Sequence, residues 1–162
     1  MRTYPDYQLS DHFSLYEMIE GVLMGRTGHE MNWSHFCKFD HYKNIDLCEK
    51  MEVVRSLINK EFKSDSFSGK DIGLMVTSGW RCKEWEKYRN RSGNSQHVIA
   101  AIDVVPTNVS KAVSDRIVYF LNDTYSNEVD GWMGGFAISN PGDSSTGFAH
   151  FDVRGYRARW TY

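Results

Sequence analysis

Two short stretches of the sequence contain residue types that bind metal ions. SQHVIAAID contains His97 and ends at Asp103, and HFDVR contains His150 and Asp152. Imidazole nitrogens and carboxylate oxygens are ligands of Zn²⁺, and a hydrolytic zinc site has three protein ligands and a fourth position open to water. Each stretch alone also has an ordinary structural interpretation, because a histidine and an aspartate lie close together in many proteins. Together they supply three ligands and a further carboxylate for proton transfer.

The stretch HFDVR has the alternation of a β-strand. Successive side chains of a strand point to opposite faces, so His150, Asp152 and Arg154 share one face. Phe151 and Val153 share the other face. A polar face beside an apolar one fits a strand that lines a cleft, and it also fits an edge strand whose polar face is solvated.

Arg81 follows an apolar run and a glycine in the stretch SGWR. A guanidinium fixed at the end of a strand can bind a substrate carboxylate through two parallel hydrogen bonds. It can equally pair with an acid on the surface. The residues of this stretch alone favour the surface role.

The elements that must position these residues follow from hydrophobic periodicity and capping signals. A capping box of Ser14 and Glu17 opens a first helix that ends at Gly25. Later helices are predicted over Asn44–Phe62, Cys82–Asn90 and Ser110–Leu121. Strands are predicted over Leu74–Thr77 and Ala100–Pro106, the second stopped by its proline, and over Trp132–Ser139 and Gly147–Val153, which form an antiparallel pair.

This order of elements predicts a single α+β domain over residues 1–162, with N-terminal helices packed on a small, mostly antiparallel sheet. The segment His29–Lys43 contains three histidines and Cys37, but its spacings match no zinc-finger pattern, so it is predicted to be a surface loop. The three cysteines form no CxxC pair and are expected to be reduced thiols in or near the core.

Composition excludes several classes of partner. The formal net charge of -2 gives no field that attracts a polyanion, so neither nucleic acid nor a charged lipid surface is an expected partner. No segment has the length of a membrane span, and the N-terminus lacks the basic and apolar regions of a signal peptide. We therefore expect a monomer that is made in the cytoplasm.

Three motifs in this order, VTSGWR, NSQHVIAAIDVV and GFAHFDVRGYRARW, resemble the zinc D-alanyl-D-alanine carboxypeptidases and related peptidoglycan endopeptidases. The metal-site fold of that family is shared with hedgehog domains. The opening LSDHFSLYEMI is also similar to the family's Phe-Ser-Leu-x-Glu segment, so the resemblance spans nearly the whole chain.

The resemblance implies a role for each matching residue. It implies three zinc ligands, which are His97, Asp103 and His150. Arg81 would hold the substrate's carboxylate or polarise its carbonyl. Ser95 and Gln96 would shape the substrate-binding loop that presents the first histidine.

The chain departs from the family pattern in two places. The loop between the first two ligands is one residue shorter than usual, and Gly147 stands where many members have an acid three positions before the last ligand. The proton acceptor must then lie elsewhere. Asp152 is the first candidate and Asp143 the second, and an alternative is that Asp152 binds the metal while His150 assists the chemistry.

The function that the resemblance implies is a zinc peptidase that cuts a peptide bond in bacterial peptidoglycan, as a carboxypeptidase or an endopeptidase. The absence of a signal peptide favours a phage lysin, which acts on the cell wall after release. The alternative is a non-catalytic metal-binding protein of a virion or tail, or a hedgehog-like wall-binding module.

Overall fold

A computed structural model describes residues 5–126, 132–142 and 147–162. These residues form five α-helices: α1 (Leu15–Glu20), α2 (Gly25–Ser34), α3 (His41–Phe62), α4 (Lys83–Tyr88) and α5 (Lys111–Tyr125). They also form five strands: β1 (Gly73–Ser78), β2 (Ala101–Thr107), β3 (Gly135–Ser139), β4 (Phe148–Asp152) and β5 (Ala158–Thr161). The predicted α+β class, with helices on a mostly antiparallel sheet in one domain, is confirmed.

The five strands form one open sheet in the order β1-β2-β4-β3-β5. All neighbouring pairs are antiparallel except β3 and β5, which are parallel. The predicted antiparallel pairing of the two late strands is therefore confirmed, whereas β5 was not predicted. Pro106 does not stop β2, because it lies inside the strand opposite Leu74 and the strand continues to Thr107.

One face of the sheet is apolar and packs in the core with α3 and α5. Ile102 and Val104 of β2 and Phe151 of β4 are fully buried there, beside Met51 and Ile117 of the two helices. Because side chains alternate along a strand, the intervening residues of β2 and β4 point to the other face. That opposite face carries the polar residues of the candidate site.

The N-terminal region differs from the prediction in two ways. The capping box of Ser14 and Glu17 is present, but α1 ends at Glu20, because Gly21 has a φ of 44° and turns the chain. Gly25, expected to end the first helix, instead begins α2. The predicted loop His29–Lys43 is also wrong, since it contains most of α2, a 3-10 turn and the start of α3.

Contacts with distant residues explain why α2 forms. Gly28 packs so closely on Trp85 that a Cβ there would lie 2.8 Å from its ring. The buried Asn32 side chain accepts a hydrogen bond from the backbone N–H of Cys82 at 2.9 Å. Cys82 and Cys48 are buried free thiols, as expected, whereas Cys37 is a free thiol on the surface.

Gly79, just after β1, makes another close approach. A Cβ at this position would lie 2.0 Å from the backbone oxygen of Met18 in α1, so only glycine fits without movement of the backbone. The next residue, Trp80, donates its backbone N–H to the same Met18 oxygen at 2.6 Å. The chain segment after β1 is thereby fixed against the first helix.

No helix within residues 5–126, 132–142 and 147–162 combines the length and apolar character that crossing a membrane requires.

Candidate metal centre

The sheet register brings Asp103 and His150 together. They are direct partners across the antiparallel pair of β2 and β4, on the face opposite the core. The Nδ1 atom of His150 lies 2.7 Å from Oδ1 of Asp103. Two ligand-type residues that are far apart in the sequence are therefore adjacent because of the strand pairing.

His97 reaches the same point from a 3-10 turn over Gln96–Val98. The hydroxyl of Ser95 caps this turn by accepting the backbone N–H of His97 at 3.3 Å. The ring Nδ1 of His97 lies 2.8 Å from the backbone oxygen of Gly79. Since a carbonyl oxygen can only accept, Nδ1 carries the proton and Nε2 is left with a free lone pair. Nε2 lies 3.3 Å from Oδ1 of Asp103.

His97, Asp103 and His150 each offer one ligand atom, and these atoms all lie within 4.8 Å of one another. Both histidines are buried, while the aspartate is half-buried. Two imidazole nitrogens and one carboxylate oxygen match the donor set of a metal site that keeps a position open. The group can therefore hold a metal ion, and it contains the three residues that the sequence predicted as ligands.

Asp152 lies behind His150 rather than beside the other ligands. Its Oδ2 is 3.1 Å from Nε2 of His150, the ring nitrogen that faces away from Asp103. Its Oδ1 accepts the backbone N–H of Gly135 at 2.9 Å, and the residue is fully buried. A carboxylate on the far nitrogen of a histidine fixes the ring orientation and increases its basicity as a ligand.

Arg154 holds the Asp152 carboxylate in place. Its Nη2 donates to Oδ2 at 2.6 Å, and its Nε donates to Oδ1 at 2.9 Å. The guanidinium also lies 4.8 Å from the ring centre of Trp160 in β5 and 5.6 Å from that of Tyr156. Both carboxylate oxygens of Asp152 thus accept hydrogen bonds.

The pKa directions follow from burial and from these pairs. Burial lowers the pKa of His97, and the neighbouring Asp103 only partly offsets this. Burial works against the charge on Asp103, yet His97 and His150 outweigh it and lower the pKa of that carboxyl. Burial likewise opposes the charged form of His150, but Asp103 and then Asp152 raise the pKa of its imidazole. Burial opposes the charge on Asp152, but His150 and Arg154 lower the pKa of its carboxyl.

Compared with known proteins, the chain matches no family model, no curated protein and no solved structure.

Arg81 is a half-buried cleft residue rather than part of a surface ion pair. Its Nη1 donates to Ser78 at 2.8 Å and its Nη2 to Ser95 at 3.3 Å. Its Nε lies 2.9 Å from Oε1 of the buried Glu86, and 12% of its side chain is exposed. Burial lowers the pKa of Arg81, although Glu86 opposes this shift.

An open cavity of about 530 Å³ lies beside Arg81 and the candidate metal ligands. Its lining includes His97, Asp103, Arg81 and Ser95. Tyr162, which is far from these residues in the sequence, lines the same cavity. Gln96 belongs to the 3-10 turn beside the cavity, and Asp143, the second candidate for the proton acceptor, lies outside the described residues.

Sequence reasoning did not identify three residues that support the site. Gly79 supplies a backbone oxygen, and a backbone atom carries no residue-type signal. Glu86 was hidden as one of several charges on a short helix. Gly135 packs against Asp152, where a Cβ would lie 2.2 Å from Oδ2, and the only signal was a pair of adjacent glycines before an apolar run.

Proposed function

We propose that the protein is a zinc peptidase that hydrolyses an amide bond in the peptide part of bacterial peptidoglycan. The observation that carries this proposal is the convergence of His97, Asp103 and His150, of which the first two line one open cavity together with the half-buried Arg81. The order of the sequence motifs and the α+β fold support the same family, and the hedgehog-like metal-site fold is part of the proposal.

The donor set favours zinc as the metal. His97 would bind through Nε2, His150 through Nδ1 and Asp103 through Oδ1, because the other ring nitrogens face Gly79 and Asp152. Two histidines and one carboxylate are a frequent ligand set of hydrolytic zinc. When bound, such an ion activates water as a nucleophile and polarises a carbonyl.

Arg81 is placed to stabilise negative charge on the substrate. Its contacts with Ser78, Ser95 and Glu86 fix the guanidinium before substrate binds. A preorganised donor of this kind stabilises the developing oxyanion or binds a substrate carboxylate without reorganisation. The same guanidinium can therefore orient the scissile carbonyl with respect to the metal ligands.

The geometry favours a positioning role for Asp152. A general base must reach the proton that it accepts with a free oxygen lone pair. The Asp152 carboxylate instead accepts hydrogen bonds from Arg154, from the backbone N–H of Gly135 and from Nε2 of His150. The residue has no exposed surface. Ligation by Nδ1 of His150, with Nε2–H donated to Asp152, uses both residues without moving either.

The function is tested with purified cell-wall sacculi and mass spectrometry of the released fragments. The zinc-loaded protein is expected to release peptides whose masses show the addition of one water at a cut amide bond. Arg81→Lys, which keeps the charge but loses the planar fork, is expected to bind zinc normally and to hydrolyse about a hundredfold more slowly. Zinc binding with no released peptide would contradict the peptidase proposal.

That last result would favour a second candidate, a metal-binding module that attaches to cell walls without cutting them. Two observations support it: Gly147 stands where relatives have an acid, and the Asp152 carboxylate is fully occupied. Sedimentation with sacculi would then show zinc-dependent binding.

A further inference from the structure

A second cavity adjoins the metal centre on the side of α4. It has a volume of about 220 Å³ and shares Arg81, Asp103 and Phe148 with the larger cavity. Asp103 is one of the three candidate metal ligands. The second cavity therefore lies beside the position at which a substrate bond would be cut.

The second cavity has a basic wall. Arg89 and Arg91, which follow α4, line it together with Arg81. The carboxylate of Glu86 pairs with Arg81 at 2.9 Å and with Arg91 at 3.1 Å. Arg89 forms no ion pair with an acid in the described part of the chain, and its guanidinium lies 5.5 Å from the ring centre of Trp85. Three guanidinium groups outnumber the two carboxylates nearby, Glu86 and Asp103, so the charge around this cavity is positive on balance.

This positive charge is local, because the whole chain has a formal net charge of -2. A cleft lined by charge of one sign raises the local concentration of ligands of the opposite sign. The planar fork of an arginine also fits a carboxylate through two parallel hydrogen bonds. The wall is thus suited to an anionic group of the substrate.

The other side of the second cavity is apolar. Leu23 and Met24 line it, and the side chain of Leu23 is 74% exposed. The backbone N–H of Leu23 lies 3.5 Å from the oxygen of Thr77, which fixes this turn beside the end of β1. An acidic residue has an aliphatic stem, which can contact the apolar residues, and a carboxylate, which can pair with the arginines.

Building on the zinc peptidase proposal, we propose that this cavity is a subsite for a second carboxylate of the peptide substrate, bound by Arg89 with support from Arg91. Arg81 then remains for the carbonyl or carboxylate at the scissile bond. The substrate class is an acidic peptide that carries two carboxylates. Arg89 is a specificity-determining residue because it is exposed, lies in the cleft and has no acid of the described chain as partner.

The test uses the synthetic pentapeptide L-Ala-γ-D-Glu-L-Lys-D-Ala-D-Ala, which has one carboxylate on D-Glu and one at its C-terminus. Two derivatives each have one of these groups amidated. The value of kcat/KM for all three peptides is measured with the zinc-loaded wild type, Arg89→Gln and the control Lys87→Gln. Lys87 is exposed in α4, two residues before Arg89, and its substitution removes the same charge, but it does not line the cavity.

For the wild type and Lys87→Gln, one of the two amidations is expected to lower kcat/KM about tenfold, as for the loss of one charge-assisted contact. In Arg89→Gln the parent peptide is expected to react about tenfold more slowly, and that amidation is expected to have no further effect. If both amidations kept their full effect in Arg89→Gln, the subsite proposal would be overturned.

Failure of the peptidase proposal would look different, since the zinc-loaded wild type would then cleave none of the three peptides. Calorimetric titration with the same peptides decides the subsite in that case. Binding of the free acid that is about tenfold tighter to the wild type than to Arg89→Gln supports the subsite. Equal binding to both proteins overturns it.

Discussion

The two histidines of the metal centre are held in different ways. His97 donates its ring Nδ1–H to the backbone oxygen of Gly79 and lies in a 3-10 turn. His150 lies on a strand and faces the carboxylate of Asp152, which Arg154 holds from behind. One support is a peptide group fixed by the fold, and the other is a buried pair of charged side chains.

This difference has a physical consequence for ligand strength. Both a carbonyl and a carboxylate orient a histidine and raise its basicity, but the negative charge of the carboxylate raises it more and so strengthens the bond to a metal further. A buried charged pair is sensitive to the removal of either partner, because the remaining charge is left without compensation. We therefore expect zinc affinity to fall when the residues that support His150 are substituted. On the other side of the site, we expect it to fall mainly when His97 itself is substituted.

The largest effect is expected for His97→Ala, which removes a ligand and should abolish zinc binding while the domain stays folded. Zinc content by elemental analysis and far-UV circular dichroism measure the two properties. His12→Ala is the control, since His12 pairs with Glu52 away from the cleft. Asp103→Ala should behave like His97→Ala, and full zinc occupancy in either variant would refute the ligand assignment.

The next largest effect is expected for Asp152→Asn, which removes the negative charge behind His150. Zinc affinity, measured by competition with a chromophoric chelator, should fall about 10- to 100-fold. The opposite pattern, unchanged zinc affinity with turnover lowered about a hundredfold, would restore Asp152 as the general base.

A smaller effect is expected for Arg154→Gln, which leaves the ligands and Asp152 in place. The buried carboxylate of Asp152 loses its bidentate partner, so the free energy of unfolding should fall by about 3 kcal/mol. Zinc affinity should fall less than in Asp152→Asn. Arg116→Gln is the matched control, because it removes an exposed pair with Asp65 and should change stability by less than 1 kcal/mol. Equal effects of the two substitutions would show that the Asp152 pair has no special role.

The smallest effect is expected for Ser95→Ala on the His97 side. The variant loses the cap of the 3-10 turn and one contact to Arg81, at a cost of about 1 kcal/mol in stability. Zinc affinity should stay within about twofold of the wild type, because Gly79 still orients the ring. A loss as large as that of Asp152→Asn would remove the distinction between the two sides.

Much of the fold could be predicted because its signals are local, whereas the three clustered residues were predicted from the resemblance of the sequence motifs. Strand alternation placed His150 and Asp152 on one face, but the pairing of β2 with β4, which brings Asp103 to His150, leaves no local signal. The division of roles between His150 and Asp152 could not be predicted. It depends on which ring nitrogen faces Asp103 and on the position of Arg154, and both are set by packing between distant segments.

The helix α2 and the strand β5 were missed for a related reason. The sequence of α2 contains two glycines and only two large apolar residues, Met31 and Trp33, so contacts with α4 rather than intrinsic preference stabilise it. β5 is four residues long and pairs in parallel with β3, which requires a partner far away in the sequence. Neither interaction leaves a local pattern.

The close packing of Gly79 on Met18 makes the N-terminal helix a part of the candidate metal centre although it contains none of the three candidate ligands. Without α1, the N–H of Trp80 would lose its acceptor and the peptide group that orients His97 would lose its support. A substitution that loosens α1 should therefore appear as a defect in metal binding. Zinc affinity can thus report how firmly the N-terminal segment packs against the segment after β1. Slow hydrogen exchange of the Trp80 amide should accompany tight zinc binding.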